Sequence, residues 1–194
     1  MSRVRGAALS LMIASLVFAA ACGDPPEKEM QQAQGAIDAA RAAGADQYAH
    51  AEFAAAQEAL KQAHAAVDQR DYQAALNHAL DSRERAQNAA KEAADHKAVA
   101  RVDADKALTD AVAALDQARA KLKAADSARM PPRTLADPRR RIADGDRAVQ
   151  KARAAFDSGD YLKAADLARP ASANLRGATR DLEQAMSPSA RRRR

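Results

Sequence analysis

Between Tyr72 and Ala128 the chain contains neither proline nor glycine. That interval has few outcomes open to it, because its residues are mostly alanine, lysine, arginine, glutamate, glutamine and leucine. Alanine is the best helix former, and the others follow it closely. One continuous helix over 72–128 would reach about 85 Å at 1.5 Å per residue. Alanine makes up 56 of the 194 residues, and aromatic residues only 3%. Strand formers are correspondingly scarce. The chain is therefore expected to be all-α, an elongated set of antiparallel helical hairpins or a bundle around one long central helix. Most of its apolar content is a single methyl group per residue. Each buried alanine removes little apolar area from water, so the core must be thin and the helices close together.

Punctuation on either side of the long interval gives the remaining elements. Glu27 follows Pro25 and Pro26 and opens a helix that stops at Gly44, a residue suited to a helix C-terminus. A second helix covers 49–70, with Phe53, Leu60 and Val67 seven residues apart on one stripe. Asp71 caps the long helix, with Tyr72 at its first position. The middle of the long helix, "DSRERAQNAAKEAADHKA", has no large apolar side chain. It packs through alanine or stands partly in solvent. Leu108, Val112, Leu115 and Leu122 then form an apolar stripe. That stripe is a candidate surface for self-association, and the oligomeric state is left open. Pro131, Pro132 and Pro138 are expected to end the helical run. Further helices follow over 139–158 and from Asp160, the last kinked or split at Pro170.

The chain repeats itself at an offset of 89 residues. "AAVDQRDYQAA" (65–75) overlies "AAFDSGDYLKA" (154–164). Phe53, Leu60 and Val67 fall on Ile142, Val149 and Phe156, and Asp71 and Tyr72 fall on Asp160 and Tyr161. Two related halves are expected, each a helical hairpin that buries its stripe on a neighbour. The paired Asp-Tyr turns are the structural landmarks of the repeat.

The amino terminus reads as an address. Arg3 and Arg5 precede an uncharged run over 6–21, and small residues follow. This is the pattern of an export signal. The run is shorter than the ~20 residues of a spanning helix. Ala19, Ala20 and Ala21 would suit ordinary signal cleavage. Alternatively, Cys22, the only cysteine, is the first residue of a mature lipoprotein and carries diacylglycerol on its sulfur. A lone thiol at an exported terminus would otherwise be an oxidisable liability. The expected layout is a lipoprotein-type signal peptide at 1–21 and a lipidated tether at 22–30. A helical hairpin domain with the long helix covers 31–128, and a Pro-rich loop 129–138. A second helical hairpin covers 139–186, and a basic disordered tail 187–194.

Two resemblances accompany these readings. The sequence "AAAC" at 19–22 resembles the lipobox of bacterial lipoprotein precursors. Gly23 after the cysteine, where aspartate marks inner-membrane retention, implies the outer membrane. Residues 33–90 resemble the helical domain of bacterial lipoproteins that carry the domain of unknown function 4398. Ile37, Ala42, Gly44, Ala45, Tyr48, Ala49, Leu60, Ala63, Asp71, Tyr72, Ala75 and Ala79 carry that likeness, and His50 stands where the family has proline. It implies a helical envelope domain and no activity. "GDYLKAADLA" also resembles part of a tetratricopeptide repeat.

No constellation for catalysis is legible. His50 and His64 lie about 21 Å apart along one helix, and neither has a partner at metal-ligand spacing. No Gly-rich phosphate loop and no serine elbow occur. Carboxylates alternate with lysine and arginine, as on a solvated helix face. Neither an enzyme, a metal site nor a cofactor is expected. Net charge is +5, of which Arg191, Arg192, Arg193 and Arg194 supply four positive charges. That tail is a candidate contact for envelope anions such as lipid headgroups or peptidoglycan. Nucleic acid is not an expected partner, since aromatic interleaving is lacking. The sequence thus leads to an outer-membrane lipoprotein held by a lipid anchor on the periplasmic face. Its role would be structural or adaptor-like, toward an envelope protein. The alternative is a peptidoglycan-associated or tetratricopeptide-like assembly factor.

Overall fold

The structure is a computed structural model, and it describes residues 24–187. These residues form six helices and no strand. They are α1 (Glu27–Ala42), α2 (Ala45–Tyr48), α3 (His50–Asp68), α4 (Tyr72–Ser127), α5 (Pro132–Asp157) and α6 (Tyr161–Met186). The interval without proline or glycine is one helix of 56 residues. The chain divides into two compact units, Met1–Ala94 and Asp95–Arg194, and α4 contributes to both.

In the first unit α3 and the start of α4 are antiparallel. Ser82 Oγ donates to the Ala56 carbonyl at 2.8 Å, and Arg85 lies 3.6 Å from Glu52. Here α4 buries Ala75, Ala79, Ser82, Ala86, Ala89 and Ala93. Their alternating spacing of four and three places them on one face. The buried positions on the α4 side of the seam are only alanine and one serine, whose hydroxyl is satisfied across the interface. Small side chains let helix axes approach closely, so backbone contact replaces side-chain bulk. The middle of α4 thus packs through alanine. Ile37, Tyr48, Phe53 and Leu60 are the larger members of this core.

The second unit is an up-down-up bundle of residues 95–127 of α4 with α5 and α6. Arg119 pairs with Asp146 at 2.9 Å, and Arg139 pairs with Asp126, so α5 runs against α4. Lys121 meets Glu183 at 2.8 Å, and Ser172 Oγ donates to the Asp110 carbonyl at 3.4 Å, so α6 runs with α4. Leu108 and Leu115 are buried in this core with Leu135, Ile142, Val149, Leu175 and Leu182, and Val112 and Leu122 pack against it. The leucine stripe proposed for self-association is therefore covered by the chain's own α5 and α6.

Several boundaries differ from the sequence reading. Helix α1 starts at Glu27, where the sequence reading opens it, so residues 27–30 of the expected tether are helical. A one-turn helix, α2, precedes α3, which starts at His50. The Pro-rich loop shrinks to the turn before Pro132, because Pro132 takes the first helical position, where its missing N–H costs nothing. Pro138 lies inside α5, and α6 continues through Pro170 to Met186. A proline forfeits one helical bond. Here buried residues on both sides of each proline hold the helix together: Leu135 and Ile142 around Pro138, and Ala168 and Ala171 around Pro170. The expected signal peptide over 1–21, Cys22 and Arg191 to Arg194 lie outside the described residues.

Candidate functional site

The two Asp-Tyr turns are built alike. Asp71 Oδ1 accepts from the Ala74 amide at 2.9 Å, and Asp160 Oδ1 accepts from the Lys163 amide at 3.3 Å. Each carboxylate caps the next helix by taking one of its unpaired N–H groups. Before each turn the preceding helix ends in the same way. The Asp71 amide reaches back to the Ala66 carbonyl, and the Asp160 amide to that of Ala155, both at 2.9 Å. This six-to-one bond needs a left-handed residue just before the aspartate. Arg70 supplies it at φ 60° and Gly159 at φ 82°. The end of α4 repeats the geometry, with the Met130 amide on the Ala125 carbonyl and Arg129 at φ 54°. Tyr161 meets Phe156 edge-to-face at 5.2 Å between ring centroids. Val67 is the counterpart of Phe156 beside Tyr72. These residues fix how the helices turn, and none of them presents a reactive group to a cavity.

A groove of about 340 Å³ lies between α1 and α3 in the first unit, over Ile37 and Leu60. Gln34, Arg41, Gln57, Lys61 and His64 rim it. It continues through Gln34 and His64 into a space of about 480 Å³ beside Met30, Val67 and Pro25. Arg41 also lies over the Phe53 ring, 5.5 Å from its centroid. The groove offers amides and cations around an apolar floor. It gathers no pair of carboxylates and no nucleophile, so its chemistry is that of contact. Sequence reasoning missed it, because Gln34, Gln57 and His64 carry no motif and meet only through the pairing of α1 with α3.

Electrostatics elsewhere are those of a solvated surface. Arg85 sits between Asp81 and Glu52. The hydrogen bond it donates to Asp81, then the charges of Asp81 and Glu52, push its guanidinium pKa further up. Among the described residues no three histidine, cysteine or carboxylate side chains come together to hold a metal ion. His50, His64 and His96 are exposed. No described helix is long and apolar enough to cross a membrane.

The chain matches no protein-family model, no curated protein and no solved structure.

Proposed function

We propose that this protein is an exported lipoprotein, acylated at Cys22 and held on the periplasmic face of the outer membrane. There its helical units serve a structural or adaptor role without catalysis. The carrying observation is the junction at Cys22. An uncharged run behind Arg3 and Arg5 ends on the only cysteine, and helix α1 begins five residues later at Glu27. Five extended residues reach at most about 18 Å, so the acylated residue and the first helix are joined by a short tether. Three acyl chains would hold the protein firmly where one binds only marginally. The likeness to lipoproteins carrying the domain of unknown function 4398 supports the same compartment.

The groove between α1 and α3 is the surface we assign to an envelope protein partner. A peptidoglycan-associated role is the second reading, favoured by the basic residues of 191–194. Fractionation of cells making the full precursor tests the proposal. The wild-type chain should sediment with outer membranes, and Cys22→Ser should lose membrane attachment. Wild-type chain found only in the cytosol would overturn it.

A further inference from the structure

The two units share a pattern of turns and buried positions, yet they differ in charge. Residues 24–94 carry seven basic and twelve acidic side chains, whereas residues 95–187 carry eighteen and fourteen. The internal repeat shows where the difference sits on one comparable face. Along α6, Arg169, Ala173, Arg176 and Arg180 are all exposed and share one side of the helix. The residues 89 positions earlier on α4 are Leu80, Glu84, Gln87 and Lys91, also exposed. The same four places therefore carry +3 in the second unit and no net charge in the first. The fold accommodates either set, so packing does not call for the arginines.

The row runs about 16 Å along α6 and contains no acidic side chain. Asp166, one turn before it, and Glu183, one turn after it, are the carboxylates flanking it on that face, and Glu183 is paired with Lys121. Asp103 on α4 stands 3.9 Å from Arg169. The groove between α5 and α6 in this unit is lined by Arg141 together with Asp144 and Asp166, so carboxylates outnumber cations there. A flat row suits a surface of spaced anions better than it suits a single small one. Leu162, 42% exposed, lies seven residues before Arg169 on the same side. An apolar side chain in line with cations is the composition of a helix face that rests in a headgroup layer.

We propose that the outer face of α6, through Arg169, Arg176 and Arg180 with Leu162, docks onto an anionic phospholipid surface. This contact does not depend on acylation at Cys22. The test uses residues 22–194 carrying Cys22→Ser, so that no acyl chain contributes. Binding is read by co-sedimentation with vesicles of phosphatidylglycerol in phosphatidylcholine. Binding should be seen on these vesicles, be absent on phosphatidylcholine alone and fall as salt rises.

The triple variant R169Q/R176Q/R180Q should bind about a hundredfold more weakly, at roughly fivefold per basic residue. R169K/R176K/R180K should keep most of the binding. K28Q/R70Q/K91Q, which removes the same charge from exposed positions of the first unit, should bind like the parent. The proposal is overturned if the two glutamine triples lose binding equally, since net charge would then suffice. It is also overturned if deleting Arg191 to Arg194 abolishes binding while R169Q/R176Q/R180Q retains it, or if phosphatidylcholine alone binds as well. Circular dichroism of each exposed-site variant should match the parent.

Discussion

Arg70 and Arg129 occupy left-handed positions that glycine fills more cheaply, as Gly159 does at the equivalent place in the second unit. A side chain there crowds its own backbone. Arg70→Gly and Arg129→Gly should each stabilise the fold by about 0.5–1 kcal/mol in urea unfolding, and Gly159→Arg should cost a similar amount. A second residue-scale device is the pairing of Gly145 with Leu175. A Cβ on Gly145 would lie 2.5 Å from Leu175 Cδ2. Residues 56 and 86, the counterparts in the first unit, are both buried alanines. One unit thus fills the position with glycine and leucine, the other with two alanines. Gly145→Ala should destabilise by about 1–3 kcal/mol through overpacking. Adding Leu175→Ala should recover part of that loss, giving a coupling of at least about 1 kcal/mol in a double-mutant cycle. Strict additivity would show that the two residues do not share the space.

Among the elements, α4 was the most legible. Its extent follows from the absence of proline and glycine and from the cap at Asp71. The ends of α1 and α3 were legible for the same reason, since Gly44 and the Arg70-Asp71 turn punctuate them. Pro138 misled and Pro170 does not split its helix, because a proline states only the local cost. It does not report that tertiary packing on both flanks sustains the helix. Exposed Pro170 leaves the Asp166 carbonyl without its helical donor. Pro170→Ala should therefore raise the melting temperature, with a gain of up to about 3 kcal/mol. An unchanged or lower value would mean that the local backbone has adapted to the proline. The caps make a graded pair. Asp71→Ala should cost about 1 kcal/mol, and Asp160→Ala less, because its bond to the Lys163 amide is longer. The groove between α1 and α3 was not legible, since it depends on which helix faces which.

For the molecule as a whole, the repeat predicts two units of unequal strength. The second unit buries seven leucine, isoleucine and valine side chains together, whereas the first relies on alanine with Ile37, Tyr48, Phe53 and Leu60. Each large aliphatic side chain contributes about 1.5–3 kcal/mol when buried, and alanine far less. Hydrogen exchange should show α1 and α3 opening at lower denaturant than α5 and α6, in separate cooperative units. Simultaneous exchange of both would mean that α4 couples them into one. The duplication itself was readable from the Asp-Tyr turns and the seven-residue stripes, because those are local. The difference in charge between the units needed the boundary within α4, which no sequence signal marks.

Under the proposed function, Cys22 joins these helices to a membrane. Intact-mass spectrometry of the mature protein from the envelope tests it most directly. The account predicts a chain that begins at Cys22 and carries diacylglycerol on its sulfur, with the first 21 residues gone. A mature chain with a free Cys22 thiol, or one that retains Met1, would contradict it.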